Sequence, residues 1–168
     1  MAGRRIAILV VLIGALSHAH AQVIDRIMAV VNGQTITLSD VEASIEFGLI
    51  APPAGTADPL AFTLDRLIER MLILTEVERF QPPEPDPIEI TIRLDAVEKR
   101  LGPAGFAKAL KVTGSTREDL QRFVRNDLRM TTYLNQRFGD AAERPTAIAT
   151  WVAELRRRAE VTVQYKGR

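Results

Sequence analysis

The chain has no cysteine among its 168 residues, which excludes disulfide cross-links, thiolate nucleophiles, thiolate metal sites and a lipid-modified N-terminal cysteine. It has two histidines, His18 and His20, both within the first 21 residues. Beyond them it lacks the side chain that most often serves as a general base or metal ligand near neutral pH. No apolar run approaches the ~20 residues needed to cross a bilayer as a helix. No long basic run is present to hold phosphates, so nucleic acid is not an expected partner.

What is present begins with Arg4 and Arg5, followed by the apolar run Ile6 to Leu16, 11 residues long, and the small-residue pattern Ala19-His20-Ala21. That order is a secretory signal peptide, with Ala19 and Ala21 specifying cleavage before Gln22. The expectation is an exported protein without stable membrane insertion, with residues 22–168 as a single domain. Removing residues 1–21 takes Arg4 and Arg5 with it and moves the formal charge from +1 to −1. The chemistry left is that of carboxylates, lysines, Ser39, Ser44, Ser115 and the Thr and Tyr hydroxyls. Neighbouring acids such as Glu76 and Glu78, or Glu118 and Asp119, point to different parts of a helix surface, so the expectation is a protein without catalysis, cofactor or metal.

Val23 to Val31 is rich in β-branched residues, Asn32-Gly33 suits a tight turn with positive φ, and Gln34 to Leu38 alternates, which predicts a hairpin with Ile36 and Leu38 inward. Ser39 or Asp40 then caps a helix running to about Ile50 on the face Val41, Ile45 and Leu49, before Pro52 and Pro53 end it. Asp58 and Pro59 open a helix from about Leu60 to Phe80. Its core stripe is Leu64, Leu67, Ile68, Met71, Leu72, Leu74 and Val77, with Arg70 among the charged residues of the remaining surface.

A proline-rich connector, residues 81–87, leads to a helix from about Ile88 to Leu101 that is expected to turn Ile88, Ile92 and either Leu94 or Ala96 and Val97 to the core. Gly102-Pro103 ends it, and a short helix around Phe106 to Lys111 follows. Ser115 to Glu118 fits a capping box for a long helix ending at Gly139, with the stripe Leu120, Phe123, Val124, Leu128, Thr131, Leu134 and Phe138. Arg117, Arg122, Arg125, Arg129 and Arg137 are read as its solvated flank. Pro145 opens a last helix with Ile148, Trp151, Val152 and Leu155 inward and Arg156 to Arg158 at its end. Val161 to Tyr165 alternates as a strand whose available partner is the hairpin.

The run Val23 to Gly33, then Ile36 to Val41, then Arg66 to Leu74, resembles the N-terminal part of SurA-like periplasmic chaperones. Trp151 to Tyr165 is similar to the segment that closes that module, so the resemblance spans nearly all of the chain after residue 21. Larger members carry parvulin isomerase domains before this closing segment, whereas here only about Gly139 to Pro145 stands there. The resemblance implies a mainly α module with a small N-terminal hairpin completed by a C-terminal strand, residues 145–166 returning to the hairpin. It also implies a periplasmic holdase for unfolded outer-membrane proteins. Candidate client contacts are apolar residues off the main stripes: Phe47, Leu94, Phe106, Leu110, Met130 and Tyr133. The competing reading is a scaffold subunit for one envelope protein or a separately encoded isomerase. The terminal strand also leaves room for an oligomer formed by strand exchange.

Overall fold

The computed structural model describes residues 25–140 and 142–167; the expected signal peptide and the expected cleavage residues Ala19, Ala21 and Gln22 lie outside the described residues. The hairpin forms where the turn chemistry demands it. Strand β1 (Ile27–Val31) meets β2 (Gln34–Thr37) across Asn32 and Gly33, both left-handed at φ 49° and 81°. Ile36 is buried, while Leu38 is already the first residue of helix α1 (Leu38–Glu46) and not the last of the strand. The cap of α1 is Thr37 and not Ser39 or Asp40: Thr37 Oγ1 accepts from the Asp40 amide, and the Asp40 carboxylate accepts from the Thr37 amide at 2.8 Å. Helix α1 also stops before Ile50. Gly48 takes φ 56°, and the Leu49 and Ile50 amides fold back onto the Ser44 carbonyl.

Helix α2 (Pro59–Phe80) starts as its sequence requires, with Asp58 accepting from the Ala61 amide at 2.9 Å. Residues Pro87–Thr113 form α3, capped by Asp86 and broken at Gly102, whose φ of 70° and ψ of 162° are not helical. The two expected helical pieces are therefore present on either side of one kinked residue. Their inward face is the expected one only in part. Leu94 is buried, as one of the two alternatives has it, but Ile88 and Ile92 are 68% and 62% exposed, and Ile90 is buried in their place. Both pairs have helical spacing, but only the Ile90, Leu94, Val97, Leu101 row continues with large apolar side chains for two further turns.

Helix α4 (Arg117–Phe138) is capped by Thr116 with Asp119, in place of Ser115 with Glu118. Leu120, Val124 and Leu128 are buried as expected, whereas Thr131 is exposed and Tyr133 takes an inward position. Helix α5 (Arg144–Arg158) buries Trp151, Val152 and Leu155. Strand β3 (Val161–Val163) pairs antiparallel with β1, giving the sheet order β2-β1-β3. It ends two residues early because the Gln164 and Tyr165 amides both turn to the Met28 carbonyl.

Two apolar clusters carry most of the packing. The larger joins Met28, Val31 and Ile36 of the sheet to Leu64, Ile68, Leu72 and Val77 of α2, Tyr133 of α4 and Trp151, Val152 and Leu155 of α5. The smaller joins Phe47 to Leu94, Phe106 and Ala109 of α3 and Leu120 of α4. The mainly helical chain thus has a three-stranded antiparallel sheet at one side, and α2 passes between that sheet and α4.

Candidate functional site

A cleft opens where α2 runs past the β2 edge of the sheet. It is a cleft of about 640 Å³, walled by Gln34, Thr35 and Ile36 of β2, by α1 residues from Ser39 to Ser44, by α2 from Leu67 to Glu78, and by the start of α4. Its size falls within the ~300–1,000 Å³ usual for ligand clefts. The half-buried apolar residues in its lining are Met71 and Leu74 on α2, Phe123 on α4, and Ala43 and Leu49 at the α1 side. Hydroxyl and amide groups of Thr35, Ser39, Thr75, Ser115 and Asn126 are among its polar lining groups.

Arg70 holds the two helical walls together. The α2 spacing places it with the other charged residues, yet the side chain is only 9% exposed. Its Nη1 donates to Asp127 at 2.7 Å, its Nη2 donates to the Phe123 carbonyl at 2.8 Å, and its guanidinium lies 3.8 Å from the Phe123 ring centroid. Burial pulls the Arg70 pKa down and the Asp127 carboxylate opposes that, an arrangement in which the guanidinium is held by specific acceptors and not by water. Arg129, expected on the solvated flank of α4, is buried too, bonded to Glu78 and within 3.3 Å of Glu84.

Every charged group lining the cleft is engaged within the protein. Asp40 serves the α1 cap, Arg70 pairs with Asp127, Glu78 with Arg129, and Asp119 with Arg122 and the Thr116 amide. The apolar wall of the cleft therefore lies among charged groups that already have partners in the protein. Among the described residues no cluster of His, Cys, Asp or Glu could hold a metal ion, and no helix is long and apolar enough to cross a membrane.

None of the six apolar residues singled out from the sequence lines this cleft. Phe47, Leu94 and Phe106 are buried together in the smaller cluster, with Leu110 half-buried against them. Met130 is half-buried against the main core, and Tyr133 is buried between Phe80 and Trp151. The cleft lining includes instead residues of the helical stripes themselves, Met71 and Leu74, which their spacing marks first as packing and only second as client contacts, and Phe123.

Several carboxylates tie the elements together and set the response to acid. Burial raises Asp65, but hydrogen bonds from Arg156 and Arg66 outweigh it and hold its carboxyl below the usual range. At Asp25 burial is likewise outweighed, chiefly by the Ser39 hydroxyl. Glu78 is lowered by its hydrogen bond from Arg129, and Asp119 by hydrogen bonds from Thr116. These four contribute stability above the unfolded carboxylate range, and that stability is lost as pH falls through their depressed values. Glu69, raised by burial with Arg66 opposing, has the opposite sign: it favours the fold when protonated and loses that contribution as pH rises through its raised value. Four outweigh one, although the exposed Glu78 and Asp119 each add little. The urea midpoint is expected to fall as pH drops below about 4; a midpoint that rises between pH 5 and pH 3 would contradict this account.

No protein-family model matches the chain, and no curated protein matches it.

Proposed function

We propose that this protein is an exported polypeptide-binding module, a periplasmic holdase that keeps unfolded envelope proteins, outer-membrane proteins foremost, from aggregating. The observation that carries the reading is the cleft: an open groove with an apolar wall of Met71, Leu74 and Phe123 opposite a strand edge, with every lining charge already engaged. Such a surface suits a chain segment that is extended and uncharged, and it asks for no particular side chain. The methionine and leucine on that wall are adaptable contacts of the kind used by binders of varied sequences. The signal-peptide pattern and the resemblance of residues 23–41 and 66–74 to SurA-like chaperones support the same reading.

A scaffold subunit that binds one folded envelope protein is the competing reading. The observation in its favour is the exposed pair Ile88 and Ile92 on the outer face of α3, away from the cleft. One experiment separates the two. A denatured porin is diluted into buffer with the purified protein lacking residues 1–21, and light scattering is compared with that in an inert protein at equal mass. A holdase lowers scattering at stoichiometric ratios; unchanged scattering removes general chaperoning and leaves capture of a single partner.

A further inference from the structure

The hydrogen-bond parity of the sheet identifies which backbone groups face the cleft. In β1 the even-numbered neighbours bond to the β3 side: Asn32 N–H donates to the Glu160 carbonyl, and the Met28 carbonyl accepts from Gln164. Ala29 and Val31 therefore bond toward β2, where their partners are Ile36 and Gln34. Thr35, opposite Val30, is the non-hydrogen-bonded position, so its N–H and C=O turn outward along the edge. Among the described residues no strand lies beyond β2. The next outward amide, that of Thr37, is taken by Asp40 at 2.8 Å. Thr35 alone thus offers a paired donor and acceptor on this edge, and it forms part of the cleft wall.

Resting on the holdase reading, we propose that an extended, uncharged client segment adds to the sheet as a strand beside β2, exchanging backbone hydrogen bonds with Thr35 while alternate side chains lie against Met71, Leu74 and Phe123. Main-chain bonding gives attachment without sequence, and the period of two in a strand presents every second side chain to the apolar wall. The apolar wall selects the occupant: Arg70 beside it is buried and already paired with Asp127, so a charged side chain laid against Met71, Leu74 and Phe123 would lose water without gaining a partner there.

The test uses Thr35→Pro. Proline removes the outward N–H and leaves the β1 to β2 bonds intact, since Thr35 makes none of them, and edge strands tolerate it. Thr35→Val keeps the backbone, and Val163→Pro makes the same change on the opposite edge of the sheet. The probe is a fluorescein-labelled peptide of alternating valine and threonine, read by anisotropy. Thr35→Pro is expected to bind about tenfold more weakly, as loss of one backbone hydrogen bond implies, with Thr35→Val and Val163→Pro matching the parent. Parent-like binding by Thr35→Pro overturns strand addition. If that variant unfolds, the parent protein is titrated with two peptides, N-methylated on odd or on even amides. Loss in one series only supports the proposal, and equal behaviour of both overturns it. If Thr35→Pro still suppresses porin aggregation as the parent does, strand addition falls and the holdase reading stands; if the parent itself suppresses nothing, the holdase reading falls first.

Discussion

Phe47→Ala is expected to cost about 3–5 kcal/mol, because a fully buried aromatic ring leaves both its transfer free energy and a cavity behind. The ring sits edge-on to Phe106 with centroids 5.6 Å apart, and the carbonyl of the same residue accepts a hydrogen bond from Arg100, so α1 and both halves of α3 converge on it. A domain of this size has a total stability of roughly 5–15 kcal/mol, so the loss is a large part of the whole. In urea the midpoint should fall by more than about 1 M. Phe47→Leu, which refills most of the space, should recover over half of the loss. A cost below about 1 kcal/mol for Phe47→Ala would mean that the smaller cluster does not hold α3 in place. Trp151 is the single tryptophan and lies in the other cluster, so its fluorescence reports the main core. If fluorescence and far-ultraviolet circular dichroism still change together in Phe47→Ala, the two clusters unfold as one unit.

Trp151→Ala is expected to be as damaging, again about 3–5 kcal/mol. The indole is 7% exposed and gathers Phe138 at 5.5 Å and Tyr133 at 6.0 Å between ring centroids, with the Arg137 guanidinium 4.9 Å away. Helix α5 has only two other buried side chains, Val152 and Leu155, and so depends on this one. The consequence reaches the sheet, because β3 follows α5 directly and completes the order β2-β1-β3. Amide exchange should therefore accelerate at Thr162 and Val30 by more than it does in the α1 to α3 region. Uniform acceleration throughout would show that α5 is no separate latch on the sheet.

The elements themselves were legible. Asn32-Gly33 marks the hairpin, Asp58-Pro59 opens α2, Gly102 interrupts α3 and Gly139 stops α4, and each signal acts within three or four residues through backbone sterics or one capping bond. Where hydroxyls and carboxylates crowd together, sequence does not single out the cap. Thr37 and not Ser39 caps α1, and Thr116 and not Ser115 caps α4, because neighbouring side chains of equal chemistry compete and the extended backbone at 37 and 116 decides between them. The strand at the C-terminus was legible too, though its last two residues leave the ladder for Met28, a contact that no alternation encodes.

The site was far less legible. Sequence by itself determined that helices dominate, that the hairpin and the last strand have one another as partners, and that histidine and cysteine chemistry is missing after residue 20, since composition, turn residues and periodicity are local properties. Tertiary structure alone decided that Ile90, not Ile88 and Ile92, joins Leu94 on the inward face, that Arg70 and Arg129 are buried, and that Met71, Leu74 and Phe123 border an opening beside Thr35. Those outcomes depend on partners far along the chain: Arg70 finds Asp127 57 positions away, and Arg129 finds Glu78 51 positions away. A guanidinium or an isoleucine has the same spacing on its own helix whether or not such a partner arrives, and it is the partner that sets burial, charge balance and the shape of the cleft.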